Sequence, residues 1–199
     1  NKDYSGVGHR HGSQGQNFHL TRYVRKIDAA LRPILMGSDL PLILATSKPL
    51  ETLFRSISVI PALPNIIVGN HDRLTESELA SAARPVLDAH YAEQIKEFHQ
   101  LFDARTSQNR TTTDISDAAR LATFGGIDRL MVDIDGVVDG FIDDETGEVT
   151  FAKEGDADNY GIVDEITGRA LRSGAKVMAV RKADIPGGHD LAVIARYPI

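Results

Sequence analysis

The sequence predicts an α/β protein made of two small layered domains. Apolar residues at helical spacing alternate with short apolar runs typical of buried strands along the 199 residues, and this alternation indicates sheets covered by helices. In the first half, the patterns predict a helix over 17–36, a strand over 42–45, a helix over 49–57 and a strand over 66–68. Pro33 is expected to kink or end the first helix.

A long helical segment over 75–104 connects the two halves. Thr75 and Glu78 predict a capping box at its start, and Pro85 is expected to divide it into two helices. We place the domain boundary near Ala89, which gives domains of 1–88 and 89–199. In the second domain the patterns predict, in order, a helix over 115–124, a strand over 129–134, a β-hairpin over 140–152, a helix over 159–172 and strands over 176–180 and 191–196.

Basic charge is concentrated at the start of an otherwise acidic chain. The formal net charge is −6, yet residues 1–32 carry six basic and two acidic side chains, a net charge of +4. Local basic charge indicates an anionic partner such as an RNA backbone, although a solvated helix face gives the same pattern. No apolar run reaches the length of a membrane span, so we expect no membrane partner.

The cysteine content and the first residue give two further expectations. The chain has no cysteine, which excludes disulfides and thiolate metal sites and fits a reducing cytoplasm. Because the chain begins with Asn1 and not with Met, we expect an upstream domain of the same protein to be missing from it.

Two short motifs suggest phosphatases, and both lack the residues that would complete a site. Residues 69–72 read Gly-Asn-His-Asp, as in metallophosphoesterases, but the other ligands for two metals are missing from 1–68. Residues 133–136 read Asp-Ile-Asp-Gly, as in haloacid dehalogenase-type phosphatases, where Asp133 would be the nucleophile. Only 63 residues follow Gly136, too few for the rest of that fold. The acidic segment after Asp133 also lacks EF-hand spacing, so we predict no metal site and no cofactor.

The segment before the first helix carries the most informative motif. Residues 4–16 are rich in Gly, His, Ser and Gln, which predicts an exposed flexible loop, and 11–16 read His-Gly-Ser-Gln-Gly-Gln. This loop and the basic helix after it resemble the archaeo-eukaryotic class-I translation release factor and Pelota family, in which His-Gly-x-Gly-Gly-Gln leads into an Arg/Phe-rich helix. Other segments resemble the family in the same order, at 41–45, 48–51, 117–134 and 187–197.

The resemblance implies a fold for each domain. Residues 1–88 would be the family's middle domain, which is RNase H-like and carries the glutamine loop, here N-terminally incomplete. Residues 89–199 would be its C-terminal domain, an L30e-like α/β/α sandwich, and the family's stop-codon-reading domain would lie outside the chain. The implied partner is the ribosome, with its rRNA and peptidyl-tRNA, and the implied location is the cytoplasm.

The resemblance also assigns chemistry to the loop. In the family, the loop glutamine promotes peptidyl-tRNA hydrolysis by stabilising oxyanion charge through its backbone N–H, and glycines let a slim loop enter the site. By that alignment Gly15 and Gln16 are the catalytic residues, with Gln14 in place of the family's first glycine. A second register, Gly12-Ser13-Gln14, gives the role to Gln14 instead.

Three functions stay open at this point. The first is a release or rescue factor that hydrolyses peptidyl-tRNA on the ribosome, and the second is a non-catalytic ribosome- or RNA-binding factor of rescue or hibernation. A phosphatase using Asp133 is the least favoured. For the first two, RNA phosphates are expected to be bound by six basic side chains, Arg10, His11, Arg22, Arg25, Lys26 and Arg32.

Overall fold

The computed structural model describes residues 10–38, 40–152 and 160–199, with side chains from Phe18 onward in the first helix. The chain divides into two units, Asn1–Ala92 and Glu93–Ile199. The division falls within one long helix. Helices and strands alternate in both units, so the predicted α/β class is confirmed.

The first unit begins with helix α1, Arg10–Leu35. The predicted loop was wrong for residues 10–16, which are helical, while residues 4–9 lie outside the described part of the chain. Helix propagation explains the difference. Once the amphipathic segment is helical, each residue added to its end forms a hydrogen bond at small cost, and Arg, His and Gln are acceptable helix formers.

Helix α1 ends shortly after its proline. Pro33 lies inside the helix, and Gly37 follows with a φ of +85°, the left-handed conformation at which helices commonly stop. The predicted end of the helix, at residue 36, therefore agrees with the observed end at Leu35. Pro33 disfavours further helix, and Gly37 adopts the left-handed conformation that ends it.

A second helix and a pair of short parallel strands follow α1 in the first unit. They are β1 (Ala45–Thr46), α2 (Lys48–Ile57) and β2 (Ile67–Val68). Strand β1 begins three residues later than predicted. The backbone before it is nevertheless paired, because the carbonyls of Leu42 and Leu44 accept hydrogen bonds from the N–H groups of Leu63 and Ile67 at 2.8 and 2.9 Å.

Helix α3, Glu76–Thr106, is continuous through Pro85, so the predicted division into two helices was wrong. A proline inside a helix removes one backbone hydrogen bond, and here the residues around it are exposed enough for water to replace that bond. The predicted capping box is confirmed: the Thr75 N–H donates to Glu78 Oε2 at 2.8 Å, and the Glu78 N–H donates to Thr75 Oγ1 at 3.3 Å.

The second unit is a three-layered α/β/α sandwich. Its remaining elements are β3 (Thr111–Thr112), α4 (Ile115–Thr123), β4 (Ile127–Asp133), β5 (Asp139–Ile142), β6 (Val149–Phe151), β7 (Tyr160–Gly161), α5 (Ile162–Arg172), β8 (Lys176–Val180) and β9 (Leu191–Ala195). Four strands form the central sheet in the order β3-β9-β4-β8, with β4 parallel to β8 and antiparallel to β9.

Alternation of side chains along β4 builds the two cores of this sandwich. Leu130 and Val132 point to the face covered by α4 and α5, whereas Met131 points to the opposite face and packs with Phe98 of α3. All four side chains are buried. Successive residues of a strand face opposite sides of its sheet, so a continuous apolar strand is what a sheet covered on both faces requires.

The predicted hairpin is β5 and β6, and β7 extends it to a three-stranded sheet. Its turn contains Gly147, whose φ is +72°. Arg169 of α5 joins the hairpin to the helices. Its guanidinium donates hydrogen bonds to the side chains of Glu165, Thr123 and Asp144 and to the carbonyls of Ile142 and Asp143. Among the described residues, no helix is long and apolar enough to cross a membrane.

Candidate nucleic-acid interface

One exposed stripe of α1 carries three of the six basic side chains predicted to bind RNA. Phe18, Arg22, Arg25, Ala29 and Arg32 recur at spacings of three and four residues, which places them within about 80° of the helix circumference. All five are exposed. On the other side of the helix Val24 is buried, so the apolar pattern that formed the helix also fixes which face remains accessible.

Arg32 is already neutralised by a neighbour on the same helix. Its Nη2 lies 2.6 Å and its Nε 2.8 Å from Oδ2 of Asp28. The other oxygen of Asp28 accepts a hydrogen bond from the Ser58 hydroxyl at 2.7 Å, and only 4% of Asp28 is exposed. The Ser58 hydrogen bond and, after it, the Arg32 guanidinium hold the pKa of Asp28 below its usual value. This group therefore serves mainly to fasten α1 to the segment after α2.

Arg22, Arg25 and Lys26 remain available for a partner. They are exposed, and none of them forms an ion pair with an acidic side chain of the residues that the structure describes. Three uncompensated cations therefore lie within about 6 Å of helix length, on a chain whose net charge is −6. Such a local excess attracts a phosphate backbone while the rest of the molecule repels one.

An open groove adjoins the end of this stripe. It has a volume of about 620 Å³, and its lining comes from α1 and α2: Arg25, Asp28, Ala29, Arg32, Ser56 and Ile57. Because Asp28 faces Arg32 in the same groove, the net positive charge there comes from Arg25. The groove can accept a phosphate at its Arg25 side.

The residues predicted to be catalytic lie at the start of α1. Gln14, Gly15 and Gln16 are in its second turn, and Arg10 and His11 are in its first turn, with side chains outside the described part. In a helix the backbone N–H of residue 16 donates to the carbonyl of residue 12. That N–H is not free to stabilise an oxyanion in this conformation, so the catalytic role of these residues stays a prediction.

Sequence reasoning missed two features of α1, one on the exposed stripe and one on its packed side. Phe18, on the stripe, is 66% exposed. Phe18 could have been found from the sequence, because it stands four residues before Arg22 and outside the apolar stripe. The buried hydrogen bond between Ser58 and Asp28 could not be predicted from the sequence, because the two residues are 30 positions apart.

The two phosphatase-like motifs are not assembled into sites. Asp133 Oδ1 accepts a hydrogen bond from the Asp135 N–H at 3.2 Å, as in a turn, and the nearby Lys182 is bound to Asp190 at 2.6 Å. The imidazole of His71 contacts the Ile67 carbonyl at 3.0 Å. Over the described residues, no three His, Asp or Glu side chains are grouped so that they could hold a metal ion.

Comparison with known structures defines the class of fold. A chain from the structure of ribosome-bound archaeal Pelota and ABCE1 matches with a TM-score of 0.58 and 10% identity, over 89% of this chain and 49% of that chain. Dom34 of S. cerevisiae, a translation termination-like factor, matches with a TM-score of 0.51 and 12% identity, over 89% of this chain and 52% of that chain. The chain thus has a Pelota-like fold and spans about half the length of these relatives.

The family match is narrower. Residues 1–93 match the family model described as bacterial archaeo-eukaryotic release factor family 11. The predicted resemblance to the archaeo-eukaryotic release factor and Pelota family is therefore confirmed, and the part of the chain that matches the bacterial family model is a little under half of its 199 residues. No curated protein matches the sequence.

Proposed function

We propose that this chain acts as a ribosome-associated factor of the release or rescue type, and that it binds RNA through the exposed cationic face of α1. The observation that carries the proposal is the set of three unpaired cations, Arg22, Arg25 and Lys26, on a helix whose opposite face is anchored in the first unit. The family match of residues 1–93 supports the same assignment. The proposed place of action is the cytoplasm.

The charge distribution favours one orientation of the chain against RNA, with α1 facing the phosphates. With a net charge of −6, the chain as a whole repels polyanions, whereas the α1 face with its three unpaired cations attracts them. A rigid helix with phosphate-binding side chains on one side fixes orientation against an RNA surface but does not by itself read a sequence. An RNA-lined cavity, such as a tRNA site on the ribosome, has the matching chemistry.

Peptidyl-tRNA hydrolysis is the second candidate, and the glycines of the first two turns of α1 favour it. Gly12 and Gly15 each weaken a helix interior by about 1 kcal/mol relative to alanine. Binding of residues 10–16 in a ribosomal cavity can therefore unwind them at moderate cost. Unwinding would free the backbone N–H of Gln16, or of Gln14 in the other register, for oxyanion stabilisation.

Two measurements on the same variants separate these candidates. The first is co-sedimentation with ribosomes at increasing salt, and the second is release of labelled peptide from stalled ribosomes. Hydrolysis predicts that Gln14→Ala combined with Gln16→Ala abolishes release while co-sedimentation persists. A non-catalytic factor predicts co-sedimentation without release by any variant. Absence of co-sedimentation at low salt refutes both candidates.

The phosphatase alternative is not retained. Its nucleophile would be Asp133, and the α/β/α sandwich that contains this residue belongs to a chain with a Pelota-like fold. The Lys182 ammonium near Asp133 is engaged by Asp190, which is the main reason that its pKa is raised.

A further inference from the structure

Phe18 is exposed at one end of the cationic stripe. Its side chain is 66% accessible, and its ring meets only the edge of His19, at a centroid distance of 5.9 Å, among the aromatic contacts of the described residues. Isolated exposed phenylalanines are common and need no explanation. This one differs because it lies one helical turn before Arg22 on the same face.

The spacing along this face suits a single RNA strand. Phe18 and Arg22 are about 6 Å apart along the helix axis, and Arg25 lies about 4.5 Å farther on. An aromatic ring followed by guanidinium groups offers a flat apolar face for a base and charged donors for the phosphates that continue from it. Proteins that bind single strands combine these two elements.

We propose that Phe18 is a stacking platform for an unpaired base of RNA, whose neighbouring phosphates are bound by Arg22 and Arg25. This inference rests on the proposed RNA-binding function and specifies its ligand: an unpaired segment and not a duplex. Bases inside a duplex are covered by their neighbours, whereas bases in loops and single strands present a free face to an aromatic side chain. The guanidinium groups add attraction to the base as well as to the phosphates.

Tyr23 provides a matched control within the same helix. It is also an exposed aromatic, at 56%, and it also lies next to the unpaired cations in sequence. It points about 140° away from Phe18 around the helix axis, so a strand that follows the Phe18–Arg25 face does not reach it. Stacking on the stripe therefore requires Phe18 and not Tyr23.

The test uses the full chain and an oligoadenylate of about 12 nucleotides, a length within the usual range for single-strand binding sites. Affinity is measured at several salt concentrations for the wild type, Phe18→Leu, Phe18→Trp and Tyr23→Leu. We expect Phe18→Leu to weaken binding by about 5- to 100-fold without changing the salt dependence, because it removes no charge. Phe18→Trp should restore binding, and Tyr23→Leu should leave it unchanged. A duplex of the same length should bind without any dependence on residue 18.

Three results would overturn the stacking role. They are equal affinity of Phe18→Leu and wild type, an equal loss in Tyr23→Leu, and no binding of the oligonucleotide by the wild type. The proposed ribosome association is judged separately by co-sedimentation, so it survives these results if wild-type protein still sediments with ribosomes. If sedimentation also fails, the proposed function itself is wrong. Circular dichroism of each variant checks that α1 is intact.

Discussion

Replacing the three unpaired cations of α1 with glutamine is expected to reduce the salt dependence of RNA binding. The variant is Arg22→Gln, Arg25→Gln and Lys26→Gln together. Glutamine keeps the helix propensity and most of the length of these side chains, and none of the three side chains is paired with an acid among the described residues. The change therefore alters charge on an exposed face and leaves the fold in place.

The size of the effect follows from counterion release. Each phosphate contact contributes about 0.7 to the slope of log affinity against log salt for a single strand and about 0.9 for a duplex. Three lost contacts reduce the slope by about 2 to 3. Between about 50 and 200 mM salt, the wild type should then lose about 20- to 40-fold more affinity than the variant.

The measurement is a salt series of binding to ribosomal RNA or to whole ribosomes. A control variant carries Lys48→Gln, Arg73→Gln and Arg84→Gln, three exposed positions outside α1. Both variants have the same net charge, −9 in place of −6. Any general effect of net charge therefore appears equally in both, and only the effect of position differs between them.

Equal salt slopes for the two triple variants would refute a special role of the α1 cations in phosphate binding. A wild-type slope for the α1 variant would refute it as well, since the phosphates would then be bound elsewhere. Arg32→Gln adds a finer check. Because Asp28 already cancels the charge of Arg32, its loss should change the slope less than the loss of Arg22 or Arg25 does.

Three further predictions concern stability. Arg169→Met removes the guanidinium that donates to the carbonyls of Ile142 and Asp143 and to the Thr123 hydroxyl. It should destabilise the second unit by about 1–3 kcal/mol and lower its thermal midpoint by at least about 4 °C. Arg172→Met, at an exposed arginine, should change stability by less than about 0.5 kcal/mol, and equal effects of the two substitutions in calorimetry would contradict the role of Arg169. Gly147→Ala should lower the free energy of unfolding by at least about 2 kcal/mol, because the φ of Gly147 is +72° and a Cβ there would lie 2.8 Å from the backbone of Arg120. Gly174→Ala should cost only about 1–2 kcal/mol of backbone strain, because Gly174 has a φ of +78° but open space around it. Chemical denaturation of the two variants measures the difference. The pKa of Asp28 is lowered in the folded state, so its contribution is complete above about pH 4 and is lost as the pH falls through the folded pKa. The gap in thermal midpoint between wild type and Asp28→Asn should therefore narrow from pH 7 toward about pH 3, and a constant gap would show that the carboxylate charge is not involved.

The sequence was sufficient for elements whose signals are local. The capping box predicted the start of α3, and the glycine of the hairpin turn adopts the left-handed conformation that such turns require. The limits of β8 agree with the predicted 176–180. The two-residue strands β3 and β7 were not predicted, because so short a segment becomes a strand only when a partner strand lies beside it.

The first turns of α1 were misjudged for a related reason. Gly, Ser, Gln and His between residues 4 and 16 have no apolar periodicity, so local composition predicts a loop. The helix of Arg10–Leu35 draws on the stability of the segment that follows, since extension of an existing helix is far easier than nucleation. Composition of a segment does not contain that information.

The amino-acid order alone determined which side chains of α1 could meet a partner, because helical spacing separates Arg22, Arg25 and Lys26 from the apolar residues. Only the tertiary structure shows that the charge of Arg32, on the same exposed face, is balanced by Asp28. Asp28 lies one turn before Arg32 in any helix, but a hydroxyl 30 residues away in the chain holds that carboxylate in a buried position. Charge compensation depends on distances in space and on burial, and neither can be read from the spacing of residues along one helix.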